Sequence, residues 1–372
     1  MNRRNWLQKT TGVGIASLIA TPTIATTLTQ EEITKFNPRA LEDVVRLSSN
    51  ENPYGPSKVV REAMIAAFDN SCRYPYSYAD ELIAMIAEKE GVGQNHIVLV
   101  GGSTEGLKIT GITFTEGGGE IIAGRPTFLS MMTYAKQWGA EVNWVDVDEN
   151  QVYDVNEIEK RISNKTKLVF LCNPNNPTST LLPAEQLVDF CSTAAKKTVV
   201  FSDEAYYDYI TEPNYPSMVD LVKKGEDVIV SRTFSKVYGL AGLRIGYLIA
   251  KPSIANKLKS RVVAFTNVVA IKAAVAAMKD DEFYQFSLEK TNEGKKLMTE
   301  TFDDMGLEYL PSHTNFLFFK TGMEISKFQE KMRAHGVNVG RPFPPFRNWC
   351  RISTGTIPEV ERFNAGVRSV LG

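Results

Sequence analysis

Histidine and cysteine are scarce in this chain: His96, His313 and His335 are its 3 histidines, and Cys72, Cys172, Cys191 and Cys350 its 4 cysteines. No CxxC pair occurs and no histidine stands at ligand spacing, so no structural metal site is expected and the thiols read as buried single side chains rather than bridges. Long basic runs are missing too. No run of lysine or arginine exceeds a pair, and 42 basic against 43 acidic residues leave a formal charge of -1, which excludes the electrostatic footprint of a nucleic-acid binder. A strongly apolar run is also wanting. Residues 10–30 carry no charge, but they are rich in threonine, glycine and alanine and read poorly as a stable membrane span. What is left is a chain of 372 residues, long enough for one large core and a smaller one, whose partner is a small molecule.

The amino terminus differs from the remainder. Arg3 and Arg4 precede the apolar pair Trp6 and Leu7 and the uncharged stretch, and small residues allow cleavage after Ala25. This resembles a twin-arginine export signal and predicts a periplasmic protein, the alternative being an unprocessed terminus on a cytoplasmic one. The expected division is a signal over residues 1–25, an arm over 26–60, a large domain over 61–255 and a small carboxyl-terminal domain over 256–372.

Beyond the arm, short apolar runs alternate with amphipathic ones. "HIVLV", "EIIA", "EVNWV", "KLVFL", "TVVFS", "VIVS" and "RIGYLIA" read as seven strands, most of them apolar throughout as buried parallel strands are. Helical patterns lie between several of them, the clearest being "PAEQLVDFCSTAAKK", with Pro183 at its start. The pattern predicts a doubly wound α/β fold with a mostly parallel sheet. From about Pro252 a long helical segment leads to "NFLFF" and "CRIST", the strands of a smaller α+β lobe. Trp138, Trp144 and Trp349 read as packing, and His313 as a structural histidine.

In open parallel sheets ligands bind outside the carboxyl ends of the strands. After "HIVLV" comes "GGSTEGL", where Gly101 and Gly102 permit close backbone approach, Ser103 or Thr104 can cap the next helix, and free N–H groups favour a phosphate. After "KLVFL" comes "CNPNNPTST", a turn bearing Asn173, Asn175 and Asn176; after "TVVFS" come Asp203 and Tyr206; and after "VIVS" comes "TFSKVYGLAGLRIGY", with Lys236 between small hydroxyl residues. The phosphate-loop pattern GxxxxGK[ST] is absent, and a plain surface lysine, the ordinary fate of the residue, is the other reading, against which its neighbours argue. An acid able to pair with a protonated pyridine nitrogen, an anion-binding turn with an arginine, and an amine able to form an imine are together the parts of a pyridoxal-phosphate site.

On "NENPYGPS", "NPNNPT", "SDEAYYDY", "TFSKVYGLAGLRIGY" and "WCRISTGT", taken in order, the chain resembles the class I/II, fold-type I aminotransferases, most closely their histidinol-phosphate and aromatic branch. The resemblance implies a large seven-stranded sheet domain with a smaller α+β domain, and a homodimer with shared active sites. It implies that Lys236 forms the internal aldimine and shuttles a proton, that Asp203 holds the pyridine nitrogen, and that Asn176 and Tyr206 bond the phenolic oxygen. Ser103, Thr104, Thr233, Ser235 and Arg244 would hold the phosphate, and Phe128 would stack on the ring. Tyr54 would reach the partner's site, Arg351 would bind the substrate's acidic group, and Arg341 would be a second basic position beside it. Ser179 stands where the family usually has glycine. The activity implied is transfer of an amino group from an amino donor to a 2-oxo acid; a β-eliminating lyase and a cofactor-binding regulator are the alternatives, the second disfavoured by the presence of both Tyr54 and Arg351.

Overall fold

The computed structural model describes residues 44–372, so the signal and the first part of the arm lie outside the described residues. Within the unit Leu41–Gly372 the strands are β1 (Val45–Arg46), β2 (Ile97–Val100), β3 (Glu120–Arg125), β4 (Glu141–Asp146), β5 (Thr166–Cys172), β6 (Val199–Asp203), β7 (Val228–Thr233), β8 (Gly246–Ala250), β9 (Phe316–Lys320), β10 (Val337–Asn338) and β11 (Trp349–Ser353). Strands β2 to β8 are the seven expected apolar runs, and they form one sheet in the order β2-β8-β7-β6-β5-β3-β4.

The apolarity of most of them, the edge strand β4 with Glu141, Asn143 and Asp146 excepted, has a direct cause: both faces of the sheet are covered. Along β5, Val169 and Leu171 enter one hydrophobic cluster while Leu168, Phe170 and Cys172 enter the other, and β7 divides likewise, with Val228 and Val230 on one side and Ile229 on the other. Alternation of side chains about a strand thus feeds two cores rather than a core and a solvent face. The pairings are parallel except those of β8, which runs antiparallel to both β2 and β7. Because β8 is reversed, it begins at the edge where β2, β7, β6, β5 and β3 end. "RIGYLIA" accordingly enters the strand only at Gly246, since Arg244 takes a left-handed φ of 56° that no strand residue adopts.

A second, two-stranded sheet pairs β9 antiparallel with β11. Leu317, Phe319, Cys350 and Ile352, on one face of it, join the helix Ile357–Leu371 in a separate core around Phe302 and Phe363. The short β1 pairs in parallel with β10, and Val45 and Leu47 enter that same core. This docking carries the segment after β1 to the rim of the large sheet. The helical segment expected from Pro252 is three helices, Pro252–Lys259, Val268–Met278 and Asp281–Asp304. Trp349 is buried, but Trp138 is 48% exposed and does not pack as expected. All four cysteines are free, Cys72 at the surface and the other three buried.

Candidate active site

Four strand ends and one reversed strand start meet at the carboxyl edge of the large sheet. After β2, Gly102 takes φ 79° and ψ 161°, a region open in practice only to glycine, and the helix Ser103–Thr115 begins at the next residue. Neither Ser103 nor Thr104 caps this helix with its side chain, contrary to expectation, because the capping position falls on Gly102. They are instead its first two residues, whose N–H groups have no carbonyl one turn earlier. A Cβ on Gly102 would overlap the Arg244 guanidinium. Arg244 is held against this turn by bonds from Nη1 to the Ala241 carbonyl (2.7 Å) and from Nη2 to the Gly101 carbonyl (3.5 Å). From β7, Thr233 Oγ1 accepts the Ser235 N–H (3.1 Å), fixing the turn that leads to Lys236. Positive guanidinium, unpaired helical N–H groups and hydroxyls thus surround one point, which suits a phosphate dianion.

Asp203 ends β6, opposite Cys172 in register. It is buried, its carboxylate accepts the Ala205 N–H at a long 3.3 Å, and burial pushes it up to about 7. A carboxylate held so far from water with so weak a donor fits a cationic N–H, such as a pyridinium nitrogen, which would draw it back down. Tyr206 follows on the next turn. Its hydroxyl accepts from Asn50 Nδ2 (2.9 Å) and Asn176 Nδ2 (3.3 Å), its ring packs edge-on to Phe316, and burial raises its phenol.

Lys236 lies partly buried beside this group, its Nζ 5.4 Å from the Tyr206 ring centroid and donating to the Asn50 carbonyl (2.9 Å). Burial, with the nearby Arg351 charge, lowers its ammonium to about 8, which brings the neutral amine within reach near neutral pH. Arg351, from β11, donates through Nη1 to Asn176 Oδ1 (2.8 Å) and through Nη2 to the Ser48 carbonyl (2.6 Å), while its buried Nε has no partner. Burial lowers its guanidinium to about 10. Arg341 is exposed, but its guanidinium lies 4.2 Å from the Phe343 ring centroid and that of Arg351 lies 5.0 Å from the same centroid, so one aromatic ring gathers both cations.

Phe128 is partly buried against the core beneath β3 and β5. Tyr54 sits apart from this cluster. Its ring meets Phe286 edge-on at 5.1 Å, its hydroxyl has no well-formed partner, and burial with nearby Glu293 pushes it up to about 12. Ser179 takes a φ of 63°, which accounts for a glycine preference there, and its Oγ donates to the Pro311 carbonyl (3.0 Å).

Asn50 and Ser353 were not among the expected residues. Asn50, at φ 53°, is buried; besides its bonds to Lys236 and Tyr206, its N–H donates to Ser353 Oγ (2.7 Å), which donates in turn to Asn50 Oδ1 (2.9 Å). Both lie inside quoted motifs, "NENPYGPS" and "WCRISTGT", and an asparagine ahead of an Asn-Pro step was the available signal.

Residues 42–366 match the family described as aminotransferase class I and II. Histidinol-phosphate aminotransferase from Halalkalibacterium halodurans is 36% identical over 334 residues, covering 89% of this chain and 90% of that protein. The protein of the same description from Moorella thermoacetica is 36% identical over 335 residues, covering 89% and 86%. The solved structure of histidinol-phosphate aminotransferase from Sinorhizobium meliloti in complex with pyridoxal-5'-phosphate superposes with a TM-score of 0.82 at 24% identity, covering 95% of this chain and 99% of that one. With its sheet order, its strand-end lysine and this match over most of its length, the chain belongs to the class I and II aminotransferases.

Proposed function

We propose that the protein is a pyridoxal-phosphate-dependent transaminase whose cofactor lies across the carboxyl edge of the large sheet. One observation carries this reading: the Lys236 amine, the weakly bonded buried Asp203 carboxyl, and the amide and phenol of Asn176 and Tyr206 converge beside a glycine turn with an arginine on it. When bound, pyridoxal phosphate supplies a carbonyl that condenses with amines and a ring that accepts the electron pair left at the substrate's α-carbon. Ser103, Thr104, Thr233, Ser235 and Arg244 hold the phosphate. Asp203 would hold a proton on the ring nitrogen, Asn176 and Tyr206 would orient the phenolic oxygen, and Phe128 would cover the ring. Lys236 would be the amine that holds the cofactor and the group that moves the proton at the substrate's α-carbon, for which an ammonium lowered to about 8 is suited.

Arg351 receives the donor's acidic group through the unpartnered Nε, exchanging bonds it now makes within the chain. The donor is an aromatic amino acid or a histidinol-phosphate-type amine, and the acceptor a 2-oxo acid. Adding each candidate donor to the loaded protein should convert the aldehyde form of the cofactor to its amine form, and a 2-oxo acid should restore it. Keto acid release that continues past one equivalent per site without an acceptor, with the aldehyde form retained, would mark a β-eliminating lyase instead.

The protein is also a homodimer in this reading. Tyr54 packs on Phe286 and bonds none of the site side chains described above, and Tyr74, Tyr76 and Phe265 form an exposed aromatic group suited to a second copy. Inactive Lys236→Ala and inactive Tyr54→Ala subunits, mixed into heterodimers, should regain activity; heterodimers that stay inactive would count against shared sites. Residues 1–25 direct export through the twin-arginine route, which fusion to a folded reporter tests. Export surviving replacement of Arg3 and Arg4 by lysine would refute it.

A further inference from the structure

Tyr153 lies between β4 and the helix Val155–Arg161, outside every motif described above, and is buried. Its phenol stands 2.6 Å from Thr127 Oγ1 and donates to Asn175 Oδ1 at 2.6 Å, and Thr127 Oγ1 lies 3.1 Å from the same Asn175 oxygen. Three oxygens therefore form a triangle that shares two hydroxyl protons. The Cys172 N–H points at the Tyr153 oxygen from 3.4 Å. Asn175 has no freedom left to turn, since its Nδ2 donates to the Pro126 carbonyl (3.0 Å) and to Thr178 Oγ1 (2.8 Å). The tyrosine ring is seated on backbone: a Cβ on Gly124 of β3 would overlap it.

The residues joined by this triangle are the immediate neighbours of groups assigned to the cofactor. Thr127 precedes Phe128, Asn175 precedes Asn176, and Cys172 is the register partner of Asp203. We propose that Tyr153 is a positioning residue, its phenol setting the spacing between the loop after β3 and the turn after β5 and thereby the placement of Phe128 and Asn176 on the cofactor. The inference rests on the proposed function. Burial raises the phenol well above its ordinary value, so it stays protonated and able to donate across the working range. A short network of this kind transmits a fixed geometry because each member is satisfied only in one arrangement.

The test uses the cofactor-loaded protein and Tyr153→Phe, which keeps the ring over Gly124 and removes only the hydroxyl. Cofactor release on dilution should become faster by about five- to tenfold, the equivalent of one lost buried hydrogen bond. The pH at which the bound cofactor's visible absorbance titrates should also move upward, because a displaced Asn176 donates less well to the phenolic oxygen and leaves the lysine-linked nitrogen more basic. A loss of stability alone would not move that pH. Thr127→Val, which removes the triangle's other hydroxyl, should reproduce both changes, and Thr127→Ser should produce neither. Wild-type release and wild-type titration in Tyr153→Phe, or in Thr127→Val should the first variant not fold, would overturn the inference. Failure of the wild-type protein to take up pyridoxal phosphate would instead sink the proposed function.

Discussion

Arg351 and Arg341 both approach the Phe343 ring yet differ in burial, and that difference separates their expected effects. Arg351→Ala should reduce kcat/KM for every donor, by about 2–4 kcal/mol in transition-state binding for a largely desolvated charge pair. Arg341→Ala should matter only for a dianionic donor. Steady-state kinetics with histidinol phosphate and with an aromatic amino acid distinguishes the cases: equal losses for both donors in Arg341→Ala would contradict a selective role. At this scale Lys236, Asp203, Tyr206 and Asn176 were legible because each follows an apolar strand, and a polar residue there is conspicuous. Asn50 and Ser353 were not, since their parts depend on the docking of β1 against β10, a contact between residues far apart in sequence that no local pattern announces. Trp138 shows the opposite failure, an apolar residue whose side chain simply remains outside.

The elements were legible where period and composition agreed. Each strand of the large sheet was marked by a run feeding two cores, and its ends differ from expectation by a residue or two. The helix Ser103–Thr115 was foreseen with a hydroxyl cap and has a glycine instead, because φ 79° and ψ 161° at that position favour the residue without a Cβ over the better capping side chain. A test at this scale is Gly102→Ala. It introduces a side chain where the Arg244 guanidinium lies and a backbone conformation that costs about 1–3 kcal/mol outside glycine. Affinity for pyridoxal phosphate should fall markedly, while pyridoxal, which lacks the phosphate, should lose far less. Equal losses for the two, measured by fluorescence titration, would place the phosphate elsewhere.

For the whole molecule, Asp203 ties folding to pH. Its carboxyl is raised from 3.8 to about 7 in the fold, chiefly by burial, so the proton is bound more tightly there than in the unfolded chain. The stability this contributes is fully present below 3.8 and is lost as pH rises through about 7. In cofactor-free protein, the melting temperature of Asp203→Asn relative to wild type should therefore climb between those limits and then level. A difference that stays constant with pH would mean the carboxyl is not held as described. The account as a whole stands on Lys236 as the point of cofactor attachment. Reduction of the loaded protein with borohydride, followed by peptide mapping, tests this directly. A single pyridoxyl adduct on the peptide bearing Lys236 is the predicted result; an adduct on any other lysine, or none on a protein that has taken up the cofactor, would contradict it.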